Sequence, residues 1–225
     1  METQPRARIL VTGGAGFIGS HVVDRLITGG YEPVVIDNLS SGKASNINSQ
    51  AKFYEVDITD QIQLGQVFGQ EKPEVVLHYA AQTSVAFSIE NPSNYVKDNL
   101  NAFFSVLDSS RLIKVKHLLI ASTSSVYGNN KQFPLKEDSC TDYPLSFYAA
   151  TKKSNEVMAY SYSNIYKLPC TVLRFFTVYG PMGRPDMSLF KFVGSILNNK
   201  FINLHNKGNH IRDFTNIKDV VELVI

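Results

Sequence analysis

The chain has 225 residues, 44% hydrophobic and 19% charged, with a formal net charge of +2. That length leaves room for one substantial domain and part of a second, in a composition that folds rather than staying disordered. The charge balance gives no warrant for a nucleic-acid partner, the longest apolar runs are too short to span a bilayer, and Cys140 and Cys170 form no metal or redox pair, so a reducing cytoplasm and no metal are expected.

Strand-like and helix-like stretches then alternate along the chain. Ile9-Leu10-Val11 predicts a first strand, followed by the glycine turn Gly13-Gly14-Ala15-Gly16-Phe17-Ile18-Gly19 and a helix over His21–Ile27. Val34-Val35-Ile36 runs into Asp37, and Lys52–Val56 runs into Asp57. Gln61–Phe68 predicts a helix, Val75–Tyr79 a strand leading to Ala80-Ala81, and Pro92–Leu112 a long helix. Leu118–Ser122 predicts a strand ending at Thr123, Ser146–Tyr166 a helix and Thr171–Phe176 a strand ending at Thr177. Such alternation implies right-handed βαβ units and a doubly wound, mostly parallel α/β sheet of Rossmann type. In these sheets functional residues gather at the carboxyl ends of strands, where every run here carries a small or polar residue.

The pattern changes after Pro181. A loop over Gly180–Pro185 leads to a helix near Met187–Leu197, a short strand near Phe201–Leu204 and a helix starting near Asn216 or Ile217. The basic residues His205, Lys207, His210 and Arg212 read as a solvated face. No glycine cap closes the last helix, and the end reads as abrupt, as if a further lobe were missing. The expected division is a dinucleotide-binding domain over 1–178 and the start of a smaller substrate-binding lobe over 179–225.

A strand, glycine turn and helix in that order let backbone N–H groups approach a pyrophosphate at a helix N-terminus. Asp37 lies at the end of the second predicted strand, where a carboxylate accepts hydrogen bonds from ribose hydroxyls and repels a 2′-phosphate, which favours NAD over NADP. Asp57-Ile58 would meet the adenine. Tyr148 and Lys152 are four residues apart and share one helix face. A tyrosine has a reference pKa of ~10, so a useful base near neutrality needs ~4 kcal/mol of help. Lys152 and a positive nicotinamide ring could supply it together. Thr123 would hold the reacting oxygen, and Lys152 would also bond the nicotinamide ribose.

The segments TGGAGFIGSH, VIDNLSSG, VDITD, HYAAQTSV, STSSVYG, YAATK, RFFTVYGP and IRDFT together resemble the extended short-chain dehydrogenase/reductases, in particular the nucleotide-sugar epimerase and dehydratase family. The resemblance implies an NAD-dependent isomerase acting on a UDP-sugar, with Thr123, Tyr148 and Lys152 catalytic. It implies cofactor contacts from Gly13, Gly16, Phe17, Ile18, Gly19, Asp37, Asn38, Asp57 and Ile58. Further cofactor contacts are implied for Tyr79, Ala80, Ala81, Gln82, Asn99, Tyr148, Lys152 and the nicotinamide-side Phe176. Ser124, Ser125, Thr177, Arg184 and Arg212 are implied on the substrate, Arg212 at its diphosphate. The helices near Pro92–Leu112 and Ser146–Tyr166 resemble the pair that forms the family's homodimer interface.

Dehydratases of the family carry Asp and Glu at the places of Ser124 and Ser125, and decarboxylases carry Glu at the place of Ser125. Serines there favour simple 4-epimerisation through a transient 4-keto sugar. The stretch Phe175–Met187 is similar to UDP-glucuronate 4-epimerases, whose 4-keto intermediate must keep its carboxylate; Thr177, Ser124, Ser125 and Arg184 could pin it. Ala86, where uronate epimerases often carry arginine, and the first hundred residues favour a UDP-glucose or UDP-N-acetylglucosamine 4-epimerase instead. The missing lobe keeps open a third reading, a non-catalytic NAD-binding fragment. After Arg212-Asp213-Phe214 the family usually continues with Tyr and a paired Asp, where this chain has Asn216 and Lys218 with only Asp219 kept.

Overall fold

The structure, a computed structural model, describes residues 7–209 and 211–225. His210, grouped above with the basic stretch, lies outside the described residues. The chain divides into two compact units, Met1–Phe175 and Phe176–Ile225.

The first unit is built on six parallel strands, β1 (Arg8–Thr12), β2 (Glu32–Asp37), β3 (Lys52–Glu55), β4 (Val75–His78), β5 (His117–Thr123) and β6 (Cys170–Phe175), in the order β3-β2-β1-β4-β5-β6. This is the strand order of the Rossmann fold, whose direction of winding reverses between β1 and β4 and opens a crevice there. The helices are α1 (Phe17–Thr28), α2 (Gln61–Glu71), α3 (Val85–Glu90), α4 (Pro92–Tyr95), α5 (Ala102–Ile113) and α6 (Phe147–Tyr166).

In this first unit the expected elements are present, with two differences of consequence. The predicted helix over Pro92–Leu112 is three pieces, because a π-helical turn over Val96–Asn101 separates α4 from α5. Helix α3 was not expected; Ser84 caps it by accepting the Phe87 N–H at 3.3 Å. Capping also sets the starts of α2 and α6. Asp60 accepts from the N–H groups of Ile62 and Gln63, and Ser146 accepts from Ala149 N at 3.1 Å.

One face of the sheet presents Leu10, Ile36, Val76, Leu118 and Ile120 to Phe68, Phe103 and Leu107 of α2 and α5, all buried. Burying apolar area at about 25 cal/mol per Å² makes this cluster the main source of stability. Polar residues therefore collect where the strands run out, above that core.

In the second unit β7 (Thr177–Tyr179) pairs in parallel with β8 (Phe214–Asn216), and α7 (Ser188–Leu197) and α8 (Ile217–Val224) complete it. The predicted strand near Phe201–Leu204 is absent; Phe201 is exposed and the following residues form a 3-10 turn. The run pairs with neither β7 nor β8, and without a ladder an apolar stretch is not a strand. Asn216 caps α8, accepting from Lys218 N at 2.9 Å.

Candidate active site

The glycine turn after β1 is closed by Gly13 N donating to Ile36 O at 2.8 Å and Gly16 N donating to Gly13 O at 3.1 Å. Gly13 has φ +72°, and a Cβ there would lie 2.6 Å from Ala80 N. A Cβ on Gly19 would lie 2.2 Å from Gly13 O. Both positions therefore require glycine, one for its backbone angle and both for close approach. Helix α1 starts at Phe17 behind Gly16 with no side-chain cap, so its first N–H groups are left for a ligand. This bare cradle at the sheet's reversal fits a dinucleotide pyrophosphate.

Asp37, at the end of β2, is buried and accepts from Ala15 N at 3.0 Å and Leu39 N at 2.9 Å. Its carboxylate thus braces the glycine turn, with lone pairs remaining for further donors. Asn38 accepts from Ser40 N. Asp57 accepts from the N–H and hydroxyl of Thr59 at 2.9 and 2.8 Å, with Lys97 at 3.8 Å. Burial pushes its carboxyl up, but these partners outweigh burial and hold it below the usual carboxylate range. The neighbouring Ile58 is buried.

Beyond β4, both ends of the buried Asn99 amide are hydrogen-bonded. Its Oδ1 accepts from Gln82 N at 2.8 Å, and its Nδ2 donates to Gln82 O at 3.0 Å and Thr151 Oγ1 at 3.1 Å. Gln82 Nε2 in turn donates to Asp98 at 3.0 Å. Asn99 thus ties the Ala80–Gln82 segment to α6. The Tyr79 hydroxyl is buried and has no hydrogen-bond partner among the described residues, and burial raises its pKa. His78 stays an interior histidine: its Nδ1 lies 2.8 Å from Thr12 Oγ1, and burial pushes its pKa down to about 3.

Thr123 ends β5. Its Oγ1 accepts from Ser125 N and donates to Ser125 Oγ, both at 3.2 Å, so the hydroxyl caps the short turn Ser124–Tyr127. Tyr148 and Lys152 are both buried on α6. The Tyr148 ring meets Tyr95 edge-on with centroids 6.3 Å apart, and Tyr95 is itself fully buried. Lys152 Nζ donates to Ala121 O at 2.9 Å, two residues before Thr123. Burial pushes its ammonium down to about 8, and among the described residues no carboxylate pairs with it. The fold thus brings the strand end bearing Thr123 and the helix face bearing Tyr148 and Lys152 to one crevice with the glycine turn and Ala80–Gln82.

The remaining candidates belong to the second unit. Thr177 N donates to Asp213 O at 3.2 Å, joining β7 to the start of β8. Arg184 is held by Asp186 through Nε at 3.0 Å and Nη2 at 2.7 Å. Its guanidinium is therefore already occupied by a carboxylate, which the sequence reading did not foresee. Arg212 is exposed and donates to Ile211 O. Phe176 opens this unit.

Residues 9–225 match the NAD dependent epimerase/dehydratase family. The chain belongs to that family. It is an isomerase with NAD as its cofactor. It is 47% identical over 226 residues to the Staphylococcus aureus protein CapI, covering 96% of this chain and 68% of that one. It is 43% identical over 228 residues to a probable UDP-glucuronate 4-epimerase of Rhizobium meliloti, covering 97% and 67%. Among solved structures it is similar to a UDP-glucose 4-epimerase of Thermotoga maritima bound to UDP-glucose, with a TM-score of 0.92 and 40% identity over 96% of this chain and 71% of that one. The chain thus spans about two thirds of the length of these proteins. No helix among the described residues is long and apolar enough to cross a membrane.

Sequence reasoning missed Thr12, Thr151, Glu156 and Arg174, whose side chains hold the site from behind. Only their spacing could have signalled them: Thr151 adjoins Lys152, and Glu156 lies one turn beyond it.

Proposed function

We propose that this isomerase is a 4-epimerase converting UDP-glucuronate to UDP-galacturonate. The observation that carries the reaction type is the pairing of a buried Lys152 with Tyr148 on α6, beside a Thr123 turn whose next two residues are serines. Neither serine is an acid or base strong enough to drive loss of water or carbon dioxide, so the 4-keto sugar is left to be reduced again.

Each step assigned to the chain has a group for it. Tyr148 removes the proton of the C4 hydroxyl and later returns one. Lys152 lowers the cost of the phenolate by its charge, and Thr123 holds the reacting oxygen through its hydroxyl. Bound NAD would supply the hydride acceptor and donor for C4. The glycine turn with Gly13, Gly16, Phe17, Ile18 and Gly19 holds the pyrophosphate, Asp37 with Asn38 the adenosine ribose, and Asp57-Ile58 the adenine. Tyr79, Ala80, Ala81, Gln82 and Phe176 serve the nicotinamide half.

The uronate assignment rests on Thr177 and Arg184 together with Ser124 and Ser125. A 4-keto uronate is a β-keto acid and needs its carboxylate pinned against decarboxylation. Arg184 meets a carboxylate with two parallel bonds, the geometry it makes with Asp186, so a substrate carboxylate would exchange with that of Asp186. Arg212 is assigned to the diphosphate. The second reading, a UDP-glucose 4-epimerase, is favoured by Ala86 and by the similarity to the Thermotoga maritima enzyme.

Exposed Phe104 and Leu112 on α5 and Val157 and Tyr160 on α6 support a homodimer through these helices. The free thiols Cys140 and Cys170 support a cytoplasmic location.

Proton NMR of the anomeric region during incubation with UDP-glucuronate, and in parallel with UDP-glucose, tests the proposal. UDP-galacturonate alone is the expected product. UDP-galactose alone moves the assignment to the glucose type, and UDP-xylose overturns the reading of Ser124 and Ser125.

A further inference from the structure

Glu156 lies one turn beyond Lys152 on α6, buried, and its carboxylate is a hub. Ser122 Oγ donates to its Oε1 at 2.5 Å. Arg174, on β6, donates through Nε to Oε1 at 3.1 Å and through Nη2 to Oε2 at 2.9 Å. The remaining guanidinium nitrogen, Nη1, donates to the Glu137 carbonyl at 2.9 Å. The guanidinium also lies over the Tyr127 ring, 5.0 Å from its centroid.

Each partner adjoins a group assigned to the chemistry. Ser122 precedes Thr123 on β5. Tyr127 closes the turn that carries Ser124 and Ser125. Glu137 sits in the segment joining that turn to Ser146, the cap of α6. Glu156 is one turn from Lys152 and two from Tyr148. Lys152 Nζ to Ala121 O also joins α6 to β5, but it uses the ammonium group that must serve the reaction. A helix slip of one residue moves its side chains by about 1.5 Å, more than the roughly 1 Å misplacement that already costs about 100-fold in rate. A buried ion pair is poor value for stability alone, since well-packed apolar residues of like volume do as well.

We propose that Glu156 and Arg174, acting with Ser122 and Tyr127, are positioning residues that hold the Thr123–Ser125 turn in register with the Tyr148 and Lys152 face of α6. The inference rests on the reading of Thr123, Tyr148 and Lys152 as the catalytic groups.

The test is the double variant Glu156→Leu/Arg174→Met, which removes both charges and orphans neither. Arg174→Lys is a milder second variant that keeps the charge and loses the fork. Two readouts are taken on folded protein: kcat and KM for the sugar the wild type turns over, and the titration of Lys152 followed by its 13Cε shift in NMR. His78, which faces Lys152, is neutral throughout that titration.

The double variant is expected to keep its melting temperature within a few degrees, to lose about 100-fold in kcat and to hold KM within about threefold. Its Lys152 midpoint should rise from about 8 toward the ordinary 10.5 as water reaches a looser site. Arg174→Lys should move both readouts in the same sense by less. An unchanged Lys152 midpoint in both variants overturns the proposal and leaves the pair a packing element. Because that titration needs no substrate, it decides the point even if the wild type turns over neither sugar, an outcome that would instead sink the proposed function.

Discussion

Two charged side chains are buried at opposite ends of the sheet, and they are treated in opposite ways. Glu71, at the end of α2, is 3% exposed and accepts from Lys52 at 2.5 Å and from the Tyr54 hydroxyl, with Arg8 at 3.6 Å. Burial pushes its carboxyl up, yet these partners outweigh it and hold the carboxyl low. Lys152, at the carboxyl end of β5, is 2% exposed and has a single carbonyl as its described partner. Glu71 is paired and contributes to stability. Lys152 is held in a raised energy state, which is what a group that must lend its charge to a reaction requires.

The largest effect expected from breaking this contrast is at Lys152. Lys152→Met should cut kcat roughly 1,000-fold, within the range for acid–base machinery, while the melting temperature stays level or rises because a buried unpaired charge is gone. Steady-state kinetics and calorimetry on one preparation check both halves. Asp37→Ala comes next. With the Ala15 N–H unbraced and the ribose acceptor lost, NAD affinity should fall about 10- to 100-fold and selectivity against NADP should weaken, as read by fluorescence titration. Glu71→Gln should do the reverse of the lysine change, costing about 2 kcal/mol in urea unfolding with kcat within about twofold.

A pH series sharpens the same contrast. Lys152 has a folded pKa below its unfolded one, so between about 8 and 10.5 the unfolded chain binds more protons and this group's contribution to stability improves as pH rises. Over the lower edge of that window kcat should fall, because the ammonium that supports Tyr148 is lost. Glu71 contributes in the opposite range: its stabilisation is present above the ordinary carboxylate value and is lost as acid titrates it through its lowered pKa. The smallest effect is expected at Asp186→Asn. Freeing Arg184 should improve KM for UDP-glucuronate about threefold and leave UDP-glucose unchanged.

How far the sequence foretold this depends on the kind of signal each feature leaves. The strands were legible because β1, β2 and β5 are apolar runs ending in one or two polar residues, a pattern that parallel sheets buried on both faces produce. The glycine turn was legible because Gly13 and Gly19 answer to steric limits that no other residue meets. Helix ends were less so: α2, α5 and α6 stop at Lys72, Lys114 and Lys167, each at positive φ where glycine would have announced the cap. The supporting shell was least legible. Glu156 reads as one more charge on an amphipathic helix until β6 delivers Arg174 to it, a meeting set by strand order rather than local spacing. Phe201–Leu204 misled for the same reason, since an apolar run becomes a strand only where an edge receives it.

The π-helical turn over Val96–Asn101 has a consequence for how this chain tolerates changes in length. A π turn holds one residue more than the α-helical turn it replaces. Removing one residue there would make the helix regular and locally better bonded, yet would rotate everything on one side of the cut by about 100° relative to the other. Where the cut turns Asn99, its bonds to Gln82 and to Thr151 would be lost together. A deletion that improves the helix would therefore unlatch the strand-end segment from α6, so the surplus residue acts as a spacer that keeps two partners in step.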